Sequence, residues 1–216
     1  MGLLTPMPDF SLEQEFMGIV AGIDEAGRGP WAGPVVAGAA VLDQHSLESG
    51  LVIGLDDSKA LTPARRDILF KQLINSSAAT VSVGVASVEE IDKLNILQAT
   101  FLAMSRALEN LHLSVDLALV DGNRAPALSC PVKTVIKGDS LSLSIAAGSI
   151  MAKVTRDRIM AKLAVEFPGF GWENNQGYGT VAHKEGLDTL GVTPHHRRSY
   201  APVRAALEKN LKPFVG

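Results

Sequence analysis

Cysteine is nearly absent from this sequence: Cys130 is the only one among 216 residues. A single thiol excludes an internal disulfide framework and any CxxC metal site. It fits a reducing compartment. Long hydrophobic runs are missing too, since none approaches the roughly 20 apolar residues that a membrane-spanning helix needs. The first residues, "MGLLTPMPDFSLEQEF", have no basic stretch, and their acids argue against a secretory signal. Pro6 stands where a myristoylation signal needs Ser or Thr. No G-x-x-x-x-G-K-[ST] occurs, which excludes a P-loop. Internal repeats, low-complexity tracts and obvious linkers are lacking as well. These absences predict a soluble, cytoplasmic protein without a membrane association.

Apolar residues make up 46% of the chain. At this length, folding buries roughly 70% of the surface that the unfolded chain exposes, enough for one ordinary core. The expectation is a single domain over 1–216, with a core at about 17–167 and a small C-terminal extension at about 168–216. The net charge is −3, which by itself argues against a nucleic-acid partner. The halves differ, however. Residues 1–108 hold 7 basic and 13 acidic residues, whereas 109–216 hold 13 and 10. A basic half is compatible with a polyanion-binding surface and also with a merely solvated face.

Residues 17–24 and 34–42 read as strands joined by a glycine-rich turn. Thr62 is placed to cap a helix that has Pro63 at its first position. Residues 79–87 alternate with period two, as a half-buried strand does. Ser87 and Glu90 form a capping box for a helical region reaching about Leu111. Two further strands are expected at 115–121 and 132–139. In the helical stretch from Ser140 to Phe167, Leu143, Ala146, Ala147, Ile150 and Val154 share one face. Residues 168–179 read as a loop, followed by two shorter helices. A leading hairpin with helices and strands alternating after it indicates an α/β layered domain.

Three apolar runs, far apart in the chain, each stop on an aspartate: "GIVAGID" on Asp24, "DLALVD" on Asp121 and "TVIKGD" on Asp139. Glu25 follows Asp24 directly. Functional groups of α/β sheets gather at strand ends. Clustered carboxylates repel, and an oxygen-only donor set suits Mg²⁺ or Mn²⁺. Aspartate after a strand is also ordinary turn chemistry, and Asp139 is equally placed to cap the following helix. The loop Gly27-x-Gly29-x-x-x-Gly33 has the look of a dinucleotide fingerprint, with Asp43 as the ribose partner. That reading needs a helix to begin in the loop. Pro30, Pro34 and the β-type Val35-Val36 run deny it one. What remains is a glycine nest beside the acids, able to approach a phosphate or a sugar closely.

These stretches together carry a family resemblance. "GIDEAGRGPWAGPVVAGA", "DSKAL", "VDG", "IKGDSLSLSIAAGSIMAKVTRDRIM", "GYGT" and "HHRRSYAPV" resemble ribonuclease HII, in order, from about residue 18 to 207. The resemblance implies a ribonuclease H-like fold, a central mixed sheet flanked by helices with a C-terminal helical extension. It implies hydrolysis of the RNA strand of RNA/DNA hybrids and incision at single ribonucleotides in duplex DNA, leaving a 5′-phosphate and a 3′-hydroxyl. By position, the acidic quartet is Asp24, Glu25, Asp121 and Asp139, expected to hold divalent metal, Mg²⁺ or Mn²⁺, with two ions during catalysis. Gly27, Arg28 and Gly29 would read the ribose 2′-hydroxyl, with Tyr178 packed on the neighbouring sugar. Lys59, His195, His196, Arg197, Arg198 and Ser199 would lie near the nucleic-acid backbone. Gly148 departs from the alanine that the family often carries there, which bears on packing rather than chemistry.

Adjacent residues of a regular strand face opposite ways. For Asp24 and Glu25 to share a metal site, the chain is expected to leave β geometry at Glu25. Trp31 and Trp172 are expected to pack, and none of the five histidines is needed for the chemistry. Two other functions fit the same residues: another nuclease of the same superfold, and a catalytically silent binder of RNA/DNA hybrids. A monomer is the expected state.

Overall fold

The computed structural model describes residues 8–55 and 61–211. Its strands are β1 (Val20–Ala26), β2 (Val35–Leu42), β3 (Ala79–Ala86), β4 (Leu117–Asp121) and β5 (Val132–Val135). They form one sheet in the order β3-β2-β1-β4-β5. The first three pair antiparallel, while β4 runs parallel to β1 and β5 parallel to β4. The sheet is therefore mixed, as expected. The helices are α1 (Ser11–Gln14), α2 (Ser49–Gly54), α3 (Pro63–Asn75), α4 (Val88–Leu94), α5 (Ile96–Glu109), α6 (Leu143–Glu166), α7 (Trp172–Asn175), α8 (Val181–Leu190) and α9 (Ala201–Leu211).

Local chemistry sets most of the boundaries. Thr62 accepts the Arg65 N–H ahead of α3, and Ser87 with Glu90 closes a reciprocal capping box on α4. The single helix expected up to Leu111 is broken in two at Asn95. This residue takes φ 72°, and its Oδ1 accepts the N–H groups of Leu97 and Gln98 to start α5. With ψ at 162° it lies outside the left-handed helical well, in a region that residues other than glycine rarely occupy. The strand expected over 132–139 stops at Val135. Lys137 turns at φ 57°, and Gly138–Ser140 form a single 3-10 turn that carries Asp139. Ser142, not Asp139, caps α6 by accepting the Ile145 N–H.

Helix α5 covers one sheet face, burying Ala103 and Ala107 with Ala21, Ile23 and Val120. Helix α6 covers the other, where Leu143, Ala146, Ala147, Ile150 and Val154 meet Ala40 and the leucines of α2 and α3. Its approach is very close. A Cβ at Gly38 would fall 2.1 Å from the Gly148 carbonyl oxygen, and one at Gly22 would fall 2.1 Å from the Ser144 carbonyl carbon. The glycine at 148 belongs to the same contact, for its own Cβ would stand 2.8 Å from the Gly38 oxygen.

Glu25 departs from the expectation. Strand β1 continues in regular pairing through Glu25 and Ala26, opposite Ala37 and Val36. Asp24 and Glu25 thus point to opposite faces, Asp24 toward α6 and Glu25 toward α5. They meet at one site because the sheet ends there and both flank its opening. Beyond α6, the segment expected to be an extended loop contains α7. Phe170, Trp172, Leu187 and Val203 share a core with Ala32 of the glycine loop and Met160 and Leu163 of α6.

Candidate active site

Asp24 sits near the end of β1 and is 4% exposed. Its Oδ1 accepts the Glu25 N–H at 2.7 Å, and the Ser149 hydroxyl of α6 also bonds to it. Burial, then the charges of Glu25 and Asp121, push its carboxyl up to about 8. Asp121, last residue of β4, accepts the Gly138 N–H at 2.6 Å through Oδ1. Asp139 follows Gly138 in the same turn and is 2% exposed. Glu25 meets the Arg28 guanidinium at 3.1 Å.

A cavity of about 520 Å³ opens at this end of the sheet. Asp24, Glu25 and Asp121 line it, with Gly27, Arg28, Gly29 and Tyr178. Three of the four expected acids therefore line the cavity, while Asp139, buried in the turn whose Gly138 N–H bonds to Asp121, is not part of the lining. Tyr178 is half exposed and lies against the glycine loop, where a Cβ at Gly29 would come 3.3 Å from its Cε1. Among the described residues, no three His, Cys, Asp or Glu side chains are grouped to hold an ion as they stand. The donor set still suits one. A buried carboxylate such as Asp24, with other acids beside it, is stabilised by a hard cation, which prefers oxygen ligands.

Residues 21–203 match the family Ribonuclease HII. The ribonuclease HII of Rhodospirillum rubrum is 58% identical over 207 residues, covering 96% of this chain and 95% of that protein. The chain belongs to the ribonuclease HII family. It is an endonuclease that degrades RNA in RNA/DNA hybrids. Among solved structures, ribonuclease H2 from Pyrococcus horikoshii OT3 superposes with a TM-score of 0.74 at 33% identity, covering 88% of this chain and 98% of the other. Bst-RNase HIII in complex with Mn²⁺ shares the fold at a TM-score of 0.74 and 18% identity, covering 91% and 71%.

Much of the "HHRRS" segment of this chain, expected near the nucleic-acid backbone, is turned inward. Arg197 is fully buried. Its guanidinium donates to the carbonyl oxygens of Gly27, Arg28 (2.9 Å), Gly33 (2.9 Å) and Pro34 (3.2 Å). A guanidinium offers five donors and no acceptor, and here they hold the glycine loop from behind. Arg156 does the same for Ala32, Pro34 and Gln176, at 3.0–3.2 Å. Gly27, at φ +97°, has no room for a side chain, because a Cβ would fall 2.0 Å from Arg156 Nε. Burial, with Arg197 nearby, lowers the Arg156 pKa to about 10.

His196 is buried as well, and burial followed by repulsion from His183 and His195 pushes it down to about 3. His195 is half-buried with its ring edge-on to Phe167 at 5.0 Å. Ser199 donates to Asp92 at 2.6 Å, and the Arg198 N–H bonds to the same carboxylate. Of this segment, only Arg198 and Ser199 are exposed. Lys59 lies outside the described residues.

The cavity also contains residues that sequence reasoning passed over: Arg66, Ser149, Lys153 and Arg156. Arg66 donates to the Leu61 carbonyl, and Lys153 pairs with Asp157 at 2.6 Å. Ser149, Lys153 and Arg156 recur at i, i+4 and i+7, so they form one stripe of α6. That polar spacing was readable beside the apolar face of the same helix.

Proposed function

We propose that this enzyme also incises duplex DNA at a single embedded ribonucleotide, leaving a 5′-phosphate and a 3′-hydroxyl. One observation carries the reading: the same cavity is lined by Asp24, Glu25 and Asp121 and by Gly27, Gly29 and Tyr178. Carboxylates for phosphodiester hydrolysis and a surface for sugar recognition thus serve one nucleotide. RNA differs from DNA at the 2′-hydroxyl, and glycine backbone can approach that hydroxyl without interference from side chains.

In this reading Asp24, Glu25, Asp121 and Asp139 hold divalent metal, Mg²⁺ or Mn²⁺. Held there, a pair of such ions would supply Lewis-acid chemistry, activating water and offsetting charge on the leaving oxygen. Support comes from the all-oxygen donor set, the raised Asp24 carboxyl and the Mn²⁺ in Bst-RNase HIII. Ser149 and the Glu25 N–H orient Asp24, while Gly138 orients Asp121. Arg197 and Arg156 fix the peptide planes of the glycine loop. Tyr178 packs on the sugar. Arg28, Arg66 and Lys153 offset phosphate charge within the cavity, and Arg198 meets the strand outside it. In this reading the working unit is a monomer, acting in the cytoplasm.

The test is a gel. Duplex DNA carrying one ribonucleotide is incubated with enzyme and Mg²⁺ or Mn²⁺, beside an all-DNA duplex and an RNA/DNA hybrid. A single nick at the ribonucleotide is expected, with no cutting of the all-DNA duplex. Cutting of the hybrid alone would remove the single-ribonucleotide activity from the reading.

A further inference from the structure

Behind Tyr178 lies a pair of buried histidines that the hydrolytic chemistry does not use. His183 on α8 and His196 in the C-terminal segment are both 0% exposed. Their Nε2 atoms face each other at 3.0 Å. The surrounding partners dictate which nitrogen bears each proton. The Thr193 backbone N–H, which can only donate, points at His196 Nδ1 at 3.0 Å. His196 Nδ1 is therefore the acceptor, and its Nε2 carries the hydrogen and donates to His183 Nε2. The Trp172 indole, also a donor only, faces the same His183 Nε2 at 3.2 Å. Two independent donors thus leave His183 Nε2 unprotonated. Its Nδ1 then bears the hydrogen and donates to the Tyr178 carbonyl at 2.9 Å.

We infer that the His196–His183 pair is a positioning device for Tyr178: a directed chain of hydrogen bonds that sets the residue facing Gly29. The inference rests on the proposed role of Tyr178 in ribose recognition. The surroundings agree with a positioning task. The Tyr178 N–H donates to the Asn175 carbonyl at 2.8 Å, and Thr180 N–H shares the Tyr178 carbonyl at 2.9 Å. The preceding peptide is held by Trp31, whose N–H donates to the Gly177 carbonyl at 2.8 Å. On the far side, Trp31 leaves no room at Gly179, where a Cβ would lie 2.0 Å from its ring. The backbone on both sides of Tyr178 is thereby fixed, and its half-exposed ring is free to meet substrate. Burial lowers both histidine pKa values, so the pair stays neutral and the direction of the chain is kept. A misplacement of the reacting geometry well below the size of a side chain is enough to slow a reaction.

The test combines kinetics with spectroscopy. His183→Leu keeps volume and loses both nitrogens, whereas His183→Asn keeps an N–H where Nδ1 stands. Incision of duplex DNA with one ribonucleotide is measured in Mg²⁺, below every melting temperature. His183→Leu should lower kcat about tenfold with KM within about twofold, and His183→Asn should recover most of the loss. On a Tyr178→Ala background, His183→Leu should cost less than about twofold, because the group it positions is gone. An undiminished tenfold loss on that background would show that His183 acts on the fold alone and overturn the inference. A fully active Tyr178→Ala enzyme would remove the role of Tyr178, and the inference with it. Nitrogen-15 spectra of the unaltered protein give a check that no variant's folding can obscure. They should show His183 protonated at Nδ1 and His196 at Nε2, and the reverse assignment refutes the chain.

Discussion

Asp24 is the residue whose surroundings conflict most with its charge. Burial and two neighbouring carboxylates hold its proton up to about pH 8, whereas the unfolded chain releases it near 3.8. Between those values the folded state binds the extra proton, so metal-free stability should fall as pH rises from about 4 to 8. Asp24→Asn should flatten that dependence and raise the metal-free melting temperature at neutral pH, while abolishing cleavage. Thermal melts in EDTA across this range check it, and a lowered melting point would contradict the electrostatic account. Mg²⁺ at a hundredfold excess over its dissociation constant should stabilise the parent by about 2.7 kcal/mol and Asp24→Asn by less. Asp121→Asn should also abolish cleavage, since it removes a ligand charge yet keeps an Oδ1 for the Gly138 N–H. Arg197 calls for a different test. Four carbonyl oxygens accept from it. That of Arg28 also meets the Tyr200 hydroxyl and that of Pro34 also meets Arg156, which leaves Gly27 and Gly33 most reliant on it. A buried acceptor left unmet costs about 1–3 kcal/mol. Arg197→Met should therefore destabilise by about 3 kcal/mol or more in urea melts. A stability within about 0.5 kcal/mol of the parent would refute the scaffold role.

At the scale of elements, the contact between α6 and the sheet decides where the acids stand. Asp24 is paired with Gly38 across the sheet, and the Gly38 position lies against the α6 backbone at Gly148. Ser149, next on that helix, reaches Asp24. A methyl group at 38 must push the helix away, since backbone atoms have no rotamer with which to yield. Gly38→Ala should cost about 1–3 kcal/mol of stability. It should also slow incision in the fraction that remains folded, because the Ser149 bond to Asp24 lengthens. Melting curves and single-turnover cutting measure the two effects, and unchanged values of both would show that the contact has slack. The same contact accounts for the glycine at 148: only a residue without Cβ allows two strand carbonyls so near the helix.

In the whole molecule, the site is held between two units that respond oppositely to acid. The carboxylates at the sheet end lose mutual repulsion as pH falls, which favours the metal-free fold. The buried His183–His196 pair works the other way. Both histidines have folded pKa values below the unfolded 6.5, with His196 near 3. Their stabilising contribution is complete above 6.5 and declines as pH falls toward the folded value, by about 1.4 kcal/mol per pH unit for each proton. Between pH 6.5 and 5, Asp24→Asn in EDTA should therefore lose stability more steeply than the parent does. Equal slopes in denaturant titrations would mean that the Asp24 carboxyl is not raised as described, since both proteins keep the histidine pair.

The linear chain determines a good deal of this without help. Periodicity and caps mark β1 to β4, α3 and the apolar face of α6, because local hydrogen bonds and hydrophobic spacing are local properties. Aspartates after apolar runs pick out Asp24 and Asp121 at strand ends, where the parallel pairing of β1 and β4 sets them side by side. Other features depend on residues distant in sequence. Glu25 stays in its strand because β2 pairs with it, so its approach to Asp24's site comes from the end of the sheet rather than from a bend in the chain. Two departures are local instead, without a periodic signal: Asn95 splits a helix through its own side chain, and a turn at Lys137 cuts short the strand toward Asp139. Arg197 and His196 look like surface cations in sequence, since a charged run gives no sign of what will cover it. Only the packing of the C-terminal helices against Ala32, Met160 and Trp172 buries them. The glycine loop's carbonyls, more than 160 residues away in sequence, then become the partners of Arg197, while His196 pairs with His183.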